Sequence, residues 1–405
     1  MSERENTGMI PKPTTAMTAA SDEKKLGYWG KIAKIYQYVY RGLIVALILF
    51  SVVFAVLFPS AFSYNGLRYF IEDLGAAVAI ANDESPVLYY TYGEKETTSI
   101  AYHGGVALMH RKGVEIYQAN GQRTLAVSLS MATPRVTVSR NYLVAFDLGG
   151  TTFSVCDAYS ELYRGNTEFP IYGVTVSDAG YLAVITASDH ALSQVLLYDG
   201  NYALIQRFYR SSATVSAAIS DSGRHIALLG LNAQGGVLDL FVLGDADSIF
   251  TARFEDELPL TLGFTSAATV AVVTDRAMHT LHVDGRHYDT VSFAGQRPVY
   301  YHVDKDGGAV VLEEDAMRAQ YRLISADKRG RVRQEQLLGA DIKAFSVCDG
   351  ALWLLSDREL CVYDGKGSTA YRYDVESGAL GLSCISQESA YVFYGARAVK
   401  YSVAN

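Results

Sequence analysis

A motif that recurs about every 40 residues constrains the fold of this chain more than any other feature. Each copy has an apolar segment, a tight turn and a second apolar segment, and the turns lie near His103, Arg140, Asp178, Asp221, Ser266, Asp306, Asp349 and Gln387. Successive turns are 37, 38, 43, 45, 40, 43 and 38 residues apart, and a four-stranded propeller blade has roughly 40–45 residues. The spacing predicts an all-β, eight-bladed β-propeller of four-stranded blades, with seven blades as the alternative.

The clearest copies show how the strands are arranged. Residues 174–180 (VTVSDAG) lead into residues 181–185 (YLAVI), and residues 217–223 (AAISDSG) precede residues 225–229 (HIALL). Runs this apolar are typical of strands that are covered on both faces. Hairpin turns with glycine at positive φ are expected at Asn120-Gly121, Asp199-Gly200 and Asp364-Gly365.

Both ends of the repeat region contribute to one blade. The last unit starts at Leu380 and ends after three strands, while the segment Val87–Tyr92 precedes the first complete unit as a single strand. We expect Val87–Tyr92 to supply the outer strand of the eighth blade, because this arrangement closes the ring and removes an exposed edge. The predicted propeller therefore covers residues 85–405.

Composition agrees with a folded β protein. The chain has 405 residues, of which 49% are hydrophobic and 19% charged, with 29 Tyr, 35 Gly and only 8 Pro. These values exclude a disordered chain. After residue 41 there are 28 basic against 39 acidic side chains, and this acidic balance argues against a nucleic-acid partner.

The N-terminal part predicts membrane attachment. Gly42–Phe62 is a run of 21 residues without a charge, which is long enough for a bilayer core of about 30 Å. We expect residues 1–22 to be a disordered cytoplasmic tail, 23–41 a basic juxtamembrane segment, 42–63 a transmembrane helix that contacts the lipid bilayer, and 64–84 a linker. The basic residues before the span place the N-terminus in the cytoplasm, which predicts a single-pass cell-membrane protein with an extracytoplasmic propeller. The alternatives are a buried core helix and a signal peptide cleaved after Ser63.

The repeats and the N-terminal span together resemble a bacterial membrane-anchored propeller family of unknown function, domain-of-unknown-function family 5711. The turns reading V-S-D-x-G and the later Leu197-Tyr198-Asp199-Gly200 segment carry this resemblance, which belongs to the WD40/quinoprotein-like superfamily. True WD repeats are excluded, because Trp29 and Trp353 are followed by Gly and Leu. The resemblance implies a fold and a location, and it transfers no catalytic residues.

The four cysteines favour a structural role. Cys348, Cys361 and Cys384 lie in apolar runs, and none of the four cysteines forms a CxxC pair, so we interpret them as small buried hydrophobes. A disulfide between Cys348 and Cys384 is the alternative. We expect it not to form, because equivalent positions of neighbouring blades are usually too far apart.

Other clusters of chemically active side chains also have simpler interpretations. His279, His282 and His287 cluster around a predicted strand. His279 and His282 are three residues apart and so point to opposite faces of the strand, and they cannot bind one metal ion together unless a bulge intervenes. Residues 304–307 (DKDG) resemble the start of a calcium loop but lack its later carboxylates. The acidic runs at residues 255–257 and 313–314 are expected to be solvated surface. We therefore predict no catalytic, cofactor-binding or metal-binding residue and no cofactor.

These observations favour a non-enzymatic protein-binding or envelope scaffold, with an extracytoplasmic protein as its partner. The alternative is a propeller enzyme, lactonase-like or quinoprotein-like, that uses the central channel. Such an enzyme needs converging polar groups or a metal, whereas first-strand segments such as residues 174–177 (VTVS) offer small and apolar side chains. A sensor function has little support, because the N-terminal tail has no recognisable output domain.

Overall fold

The structure is a computed structural model that describes residues 38–45, 87–90, 97–315, 317–318, 320–338, 342–363 and 369–403. The chain divides into two units, Met1–Ala79 and Ile80–Asn405. In the first unit, residues 38–45 are helical. The expected tail at 1–22 and linker at 64–84 lie outside the described residues, as does most of the expected span.

The helices that the structure describes do not support the predicted membrane location. Within the described parts of the chain, no helix is both long enough and apolar enough to cross a membrane. On this finding, the prediction of a single-pass protein that contacts lipid through residues 42–63 and has its propeller outside the cell is wrong.

The second unit is an eight-bladed propeller in which every blade is a four-stranded antiparallel sheet. The first strands are β2 (Thr98–Tyr102), β6 (Pro134–Val138), β10 (Ile171–Val176), β14 (Ala213–Ile219), β18 (Pro259–Ser266), β22 (Arg297–Asp304), β26 (Ala344–Cys348) and β30 (Gly381–Ser386). The second strands are β3 (Gly105–His110), β7 (Leu143–Asp147), β11 (Leu182–Thr186), β15 (His225–Asn232), β19 (Thr269–Thr274), β23 (Gly307–Asp315), β27 (Ala351–Leu355) and β31 (Ser389–Phe393). First strands of successive blades contact one another, so they surround the axis of the ring.

The two remaining strands of each blade lie farther from the axis. The third strands are β4 (Gly113–Tyr117), β8 (Thr152–Cys156), β12 (Ser193–Tyr198), β16 (Gly235–Val242), β20 (Ala277–His282), β24 (Gln320–Ala326), β28 (Glu359–Tyr363) and β32 (Arg397–Ser402). The outer strands of blades 1 to 7 are β5 (Arg123–Ser128), β9 (Glu161–Asn166), β13 (Leu204–Arg210), β17 (Phe250–Glu255), β21 (His287–Ser292), β25 (Val332–Leu338) and β29 (Thr369–Asp374). The eight turns that were predicted from the sequence all join a first strand to a second strand, so the eight-blade prediction is confirmed and the seven-blade alternative is wrong.

The ring closes as predicted. The outer strand of blade 8 is β1 (Val87–Tyr89), which pairs antiparallel with β32 and aligns Leu88 with Ala398. Hydrogen bonds join the first blade to its neighbours: Tyr391 Oη of blade 8 donates to Gly104 O at 3.3 Å, and Tyr102 Oη donates to Asn141 O of blade 2 at 2.8 Å.

The apolar core is divided among the seams between blades. Phe153 and Val184 belong to one cluster between blades 2 and 3, and Trp353 and Val392 belong to another between blades 7 and 8. Side chains of second strands alternate between the two neighbouring blades, which explains why these strands are apolar throughout. Burial on both faces makes each blade depend on its neighbours.

One predicted hairpin turn differs. Gly121 has φ of +83° as expected, but Gly200 does not take a positive φ, and Tyr202 takes φ of +62° instead. The turn is longer than two residues, because Asp199 N donates to Ala203 O at 3.0 Å. Asp364-Gly365 lies outside the described residues.

Candidate functional site

The propeller has two ends with different chemistry. The turn end carries the hairpins between first and second strands and those between third and outer strands. The linker end carries the turns between second and third strands and the links from each outer strand to the next blade. Both ends surround the axis, where the first strands meet.

Charged side chains at the turn end pair between neighbouring blades. The backbone N–H of Arg140 in blade 2 donates to Asp178 Oδ1 of blade 3 at 2.7 Å, and its guanidinium Nε lies 3.9 Å from Asp178 Oδ2. Lys305 Nζ of blade 6 lies 2.7 Å from Asp349 Oδ1 of blade 7. These two pairs connect hairpins of neighbouring blades at the turn end, blade 2 with blade 3 and blade 6 with blade 7.

The pKa values at this end reflect burial and like charges as well as ion pairing. Burial and the Asp178 carboxylate raise the pKa of Asp221, while Arg140 and Lys305 act in the opposite direction. The hydrogen bond to Asp349 raises the pKa of Lys305. Lys305 and Arg140 belong to different blades, yet both influence Asp221, so these side chains share one electrostatic environment around the axis.

First strands of four consecutive blades carry a β-bulge near the linker end. The pairing moves from Ile171↔Thr186 to Gly173↔Ile185 in blade 3, which leaves Tyr172 as the extra residue. The same shift makes Val215, Leu260 and Val299 the extra residues of blades 4, 5 and 6. A bulge redirects the side chain of its extra residue, and Tyr172 and Val215 are 52% and 43% exposed.

Four apolar side chains are exposed at the linker end of blades 3 and 4: three belong to blade 3, and Val215 belongs to blade 4. We call Tyr172, Leu192, Tyr209 and Val215 the blade-3 patch; Leu192 and Tyr209 are 64% and 54% exposed. Leu192 N donates to Arg210 O at 3.1 Å, which places the loop beside the end of the outer strand. The ring centroids of His190 and Tyr209 are 6.3 Å apart. Single exposed apolar residues are ordinary on protein surfaces, whereas grouped ones mark interaction sites.

The disulfide prediction is wrong. Cys348 on β26 and Cys384 on β30 are bonded, and their Cα atoms are 6.0 Å apart. First strands approach each other most closely because they surround the axis, so neighbouring positions there are within disulfide range. Cys156 and Cys361 are free, and burial raises the pKa of Cys156 to about 12.

The histidines separate into two groups. His282 Nδ1 lies 2.7 Å from Asp284 Oδ1, away from His279. His279 Nε2 lies 2.8 Å from Glu257 Oε2 and its Nδ1 lies 3.1 Å from Thr290 Oγ1. In the described part of the chain, no group of three or more His, Cys, Asp or Glu side chains is placed to hold a metal.

A bulge that the sequence did not reveal brings a second histidine to His279. The pairing skips Tyr288 between Asp289↔Thr280 and His287↔Leu281, which turns His287 to the face that carries His279. His287 Nε2 therefore lies 2.9 Å from Thr290 Oγ1.

The acidic segments are only partly solvated. Asp304 Oδ1 accepts a hydrogen bond from Asp306 N at 2.8 Å and stabilises the turn itself. Glu314 Oε1 lies 3.0 Å from Arg322 Nε, and this carboxylate side chain is only 24% exposed. Since Glu257 also binds His279, the expectation of freely solvated carboxylates is wrong for Glu257 and Glu314.

The fold and its seams define an eight-bladed β-propeller of four-stranded blades. Residues 89–401 match the family of unknown function DUF5711, and the chain belongs to this family. No curated protein sequence matches the chain.

Solved structures with similar folds have low sequence identity. BamB from Moraxella catarrhalis matches with a TM-score of 0.51 and 12% identity, over 77% of this chain and 99% of that one. The C-terminal WD40 domain of Sif2 matches with a TM-score of 0.56 and 14% identity, over 78% and 100%. A eukaryotic initiation factor matches with a TM-score of 0.53 and 10% identity, over 78% and 85%. These similarities support the fold.

Proposed function

We propose that this protein is a non-enzymatic scaffold whose propeller, residues 85–405, binds a protein partner through the linker end. The observation that carries the proposal is the blade-3 patch, whose two tyrosines and two aliphatic side chains are all exposed at the same end of two neighbouring blades. Tyrosine provides a large contact area with few rotatable bonds, and it is enriched at the centres of protein interfaces.

The contrast between the two ends supports the choice of the linker end. Ionic groups at the turn end, such as Lys305 and Asp349, are paired between blades, so a partner that used them would disrupt contacts within the ring. In the described part of the chain, the side chains of the blade-3 patch take part in no such ion pair between blades.

Site-specific photo-crosslinking tests the proposal. A photoreactive amino acid replaces Tyr209 in the patch or, as the matched control, Tyr288, which is 38% exposed at the turn end. We expect one protein to be crosslinked in stoichiometric amount from position 209 and not from position 288.

Affinity for that partner provides the second measurement. The double variant Tyr172→Ser/Tyr209→Ser should weaken binding at least about 100-fold, since each interface hot spot contributes about 2 kcal/mol or more. The control variant Tyr288→Ser should bind as the native protein does. Equal binding by the patch variant would contradict the proposal, and a metal or quinone that copurifies with the protein would favour the propeller enzyme.

A further inference from the structure

The seams between blades 3 and 4, 4 and 5, and 5 and 6 are each closed by a polar side chain. The three side chains stand at the same position of the third strand in blades 4, 5 and 6. Asp239, His279 and Arg322 lie opposite Leu228, Val272 and Leu312 of the second strands. Each of these polar side chains binds a group from the preceding blade or its link: Arg210 binds Asp239, Glu257 binds His279, and Gln296 binds Arg322. These pairs fill the outer part of the seams.

The next seam, between blades 6 and 7, has a small residue at this position. Cys361 lies opposite Leu354, and its side chain is too short to reach the outer strand of blade 6. A cleft of about 300 Å³ opens at this seam. Its apolar walls are Leu338, Ile342 and Leu354, and its polar lining residues include Gln336, Glu359 and Arg372. A volume of this size suits a small molecule.

The lining of the cleft defines the chemistry of a ligand. Leu338, Ile342 and Leu354 are each at least nine-tenths buried and form an apolar floor. At the mouth, Arg372 Nη1 lies 3.7 Å from Glu359 Oε2, which exceeds hydrogen-bond length, so both groups keep hydrogen-bonding capacity for a ligand.

The polar groups can recognise both charges of a zwitterion. Gln336 Oε1 accepts a hydrogen bond from Gln334 Nε2 at 3.2 Å, which leaves the amide N–H groups of Gln336 to donate. Burial raises the pKa of Cys361, so this residue lines the cleft with an uncharged thiol. We propose that the cleft between blades 6 and 7 binds a free amino acid with an apolar side chain, its carboxylate on Arg372, its ammonium on Glu359 and its side chain on the apolar floor.

Calorimetric titration of the full chain with L-leucine and three analogues tests this assignment. The analogues are 4-methylpentanoate, which lacks the ammonium, 3-methylbutylamine, which lacks the carboxylate, and glycine, which lacks the apolar side chain. We expect L-leucine to bind at least about tenfold more tightly than each analogue, because two analogues lose a charge-assisted hydrogen bond and glycine loses the burial of an apolar side chain. Equal affinities for the four compounds, or no heat from L-leucine, would overturn the proposal.

Variants locate the binding event in the cleft. Arg372→Gln changes a side chain that is 62% exposed, so the fold should persist while affinity for L-leucine falls at least about tenfold. Cys361→Phe should fill the cleft and abolish binding, with the melting temperature as a check of folding. The matched control is Arg123→Gln, which alters an outer-strand arginine that is 54% exposed and paired with Glu115 in blade 1. If Arg372→Gln bound L-leucine as the native chain does, the assignment of the cleft would be wrong.

Discussion

Cys348 and Cys384 join the first strands of blades 7 and 8 through a disulfide, and their Cα atoms are 6.0 Å apart. The disulfide is attached to blade 8, the same blade whose outer strand β1 closes the ring. Ser346 reinforces the same seam, because its hydroxyl donates to Cys384 Sγ at 3.1 Å and accepts from Cys384 N at 3.0 Å. The last two blades are therefore connected by covalent and hydrogen bonds near the axis.

Loss of this disulfide should destabilise the propeller. The bonded residues are 36 apart in sequence, and a loop of that length restricts the unfolded chain by about 4 kcal/mol in the chain-entropy description. We expect the variant Cys348→Ser/Cys384→Ser to unfold at lower urea concentration than the native protein.

Thiol counting provides the control for that experiment. Native protein unfolded without reductant should expose two alkylatable thiols, those of Cys156 and Cys361, whereas four should react after reduction. Four reactive thiols before reduction would show that the bond is absent.

The seam between blades 3 and 4 offers a test of a buried ion pair. The side chains of Arg210 and Asp239 are 14% and 10% exposed, and Thr251 also donates to Asp239. Arg210→Met should cost about 3–5 kcal/mol in the free energy of unfolding, because it leaves a buried carboxylate without its cation.

Two further variants decide whether the missing charge is the cause. The double variant Arg210→Met/Asp239→Leu should recover part of the loss, since no unpaired charge is left. Arg123→Met removes an exposed pair and should cost less than about 1 kcal/mol. If the double variant were less stable than Arg210→Met alone, the pair would matter through packing and the electrostatic account would be wrong.

The order of the strands and the closure of the ring were predictable from the sequence, because hairpin turns impose local requirements that recur in each blade. The turn at residues 176–180 (VSDAG), for example, ends at Gly180, which has φ of +85°. Distances between blades depend on the geometry of the whole ring, and no local pattern reports them. This is why the Cys348–Cys384 prediction failed.

The sequence contains the polar residues that pair across the seams between blades, but only the structure shows which residues pair. Asp239 is the single charged residue of an otherwise apolar third strand, His279 lies in the third strand of the next blade, and the repeats place the two at one equivalent position. Their partners Arg210 and Glu257 belong to the preceding blade or its link, so the pairing is not visible in any one repeat. The blade-3 patch was unpredictable for a related reason: the exposure of Tyr172 depends on a bulge.

The turn carboxylate of blade 6 predicts a pH dependence of stability. Burial alone would raise the pKa of Asp304, but the His302 side chain, whose Nε2 lies 3.7 Å from Asp304 Oδ2, and the backbone N–H groups of Asp306 and Gly307 outweigh it, so the pKa is lowered. A lowered pKa stabilises the folded state above the pKa of the unfolded chain, and this contribution is lost as pH falls through the folded-state pKa.

Urea unfolding at two pH values measures the contribution of Asp304. Asp304→Asn should be less stable than the native protein at about pH 7, and the difference should shrink towards about pH 2 as the native carboxyl is protonated. The exposed residue Asp247 serves as the control, and Asp247→Asn should have little effect at either pH. A stability difference for Asp304→Asn that stayed constant with pH would show that the carboxylate charge is not responsible.

Closure of the ring by β1 predicts that two adjacent residues differ greatly in their effect on stability. Leu88 is 2% exposed and packs in a cluster with Val106 and Phe393 between blades 8 and 1, whereas Tyr89 is 68% exposed. Leu88→Ala should therefore cost about 2–5 kcal/mol through the cavity it leaves, and Tyr89→Ala should change stability by about 0.5 kcal/mol or less. Urea denaturation of the full chain gives both values. If the two variants unfolded at the same urea concentration as the native protein, β1 would contribute little to closure, and the seam between the first and last blades would depend on other contacts instead, such as the hydrogen bond from Tyr391 Oη to Gly104 O.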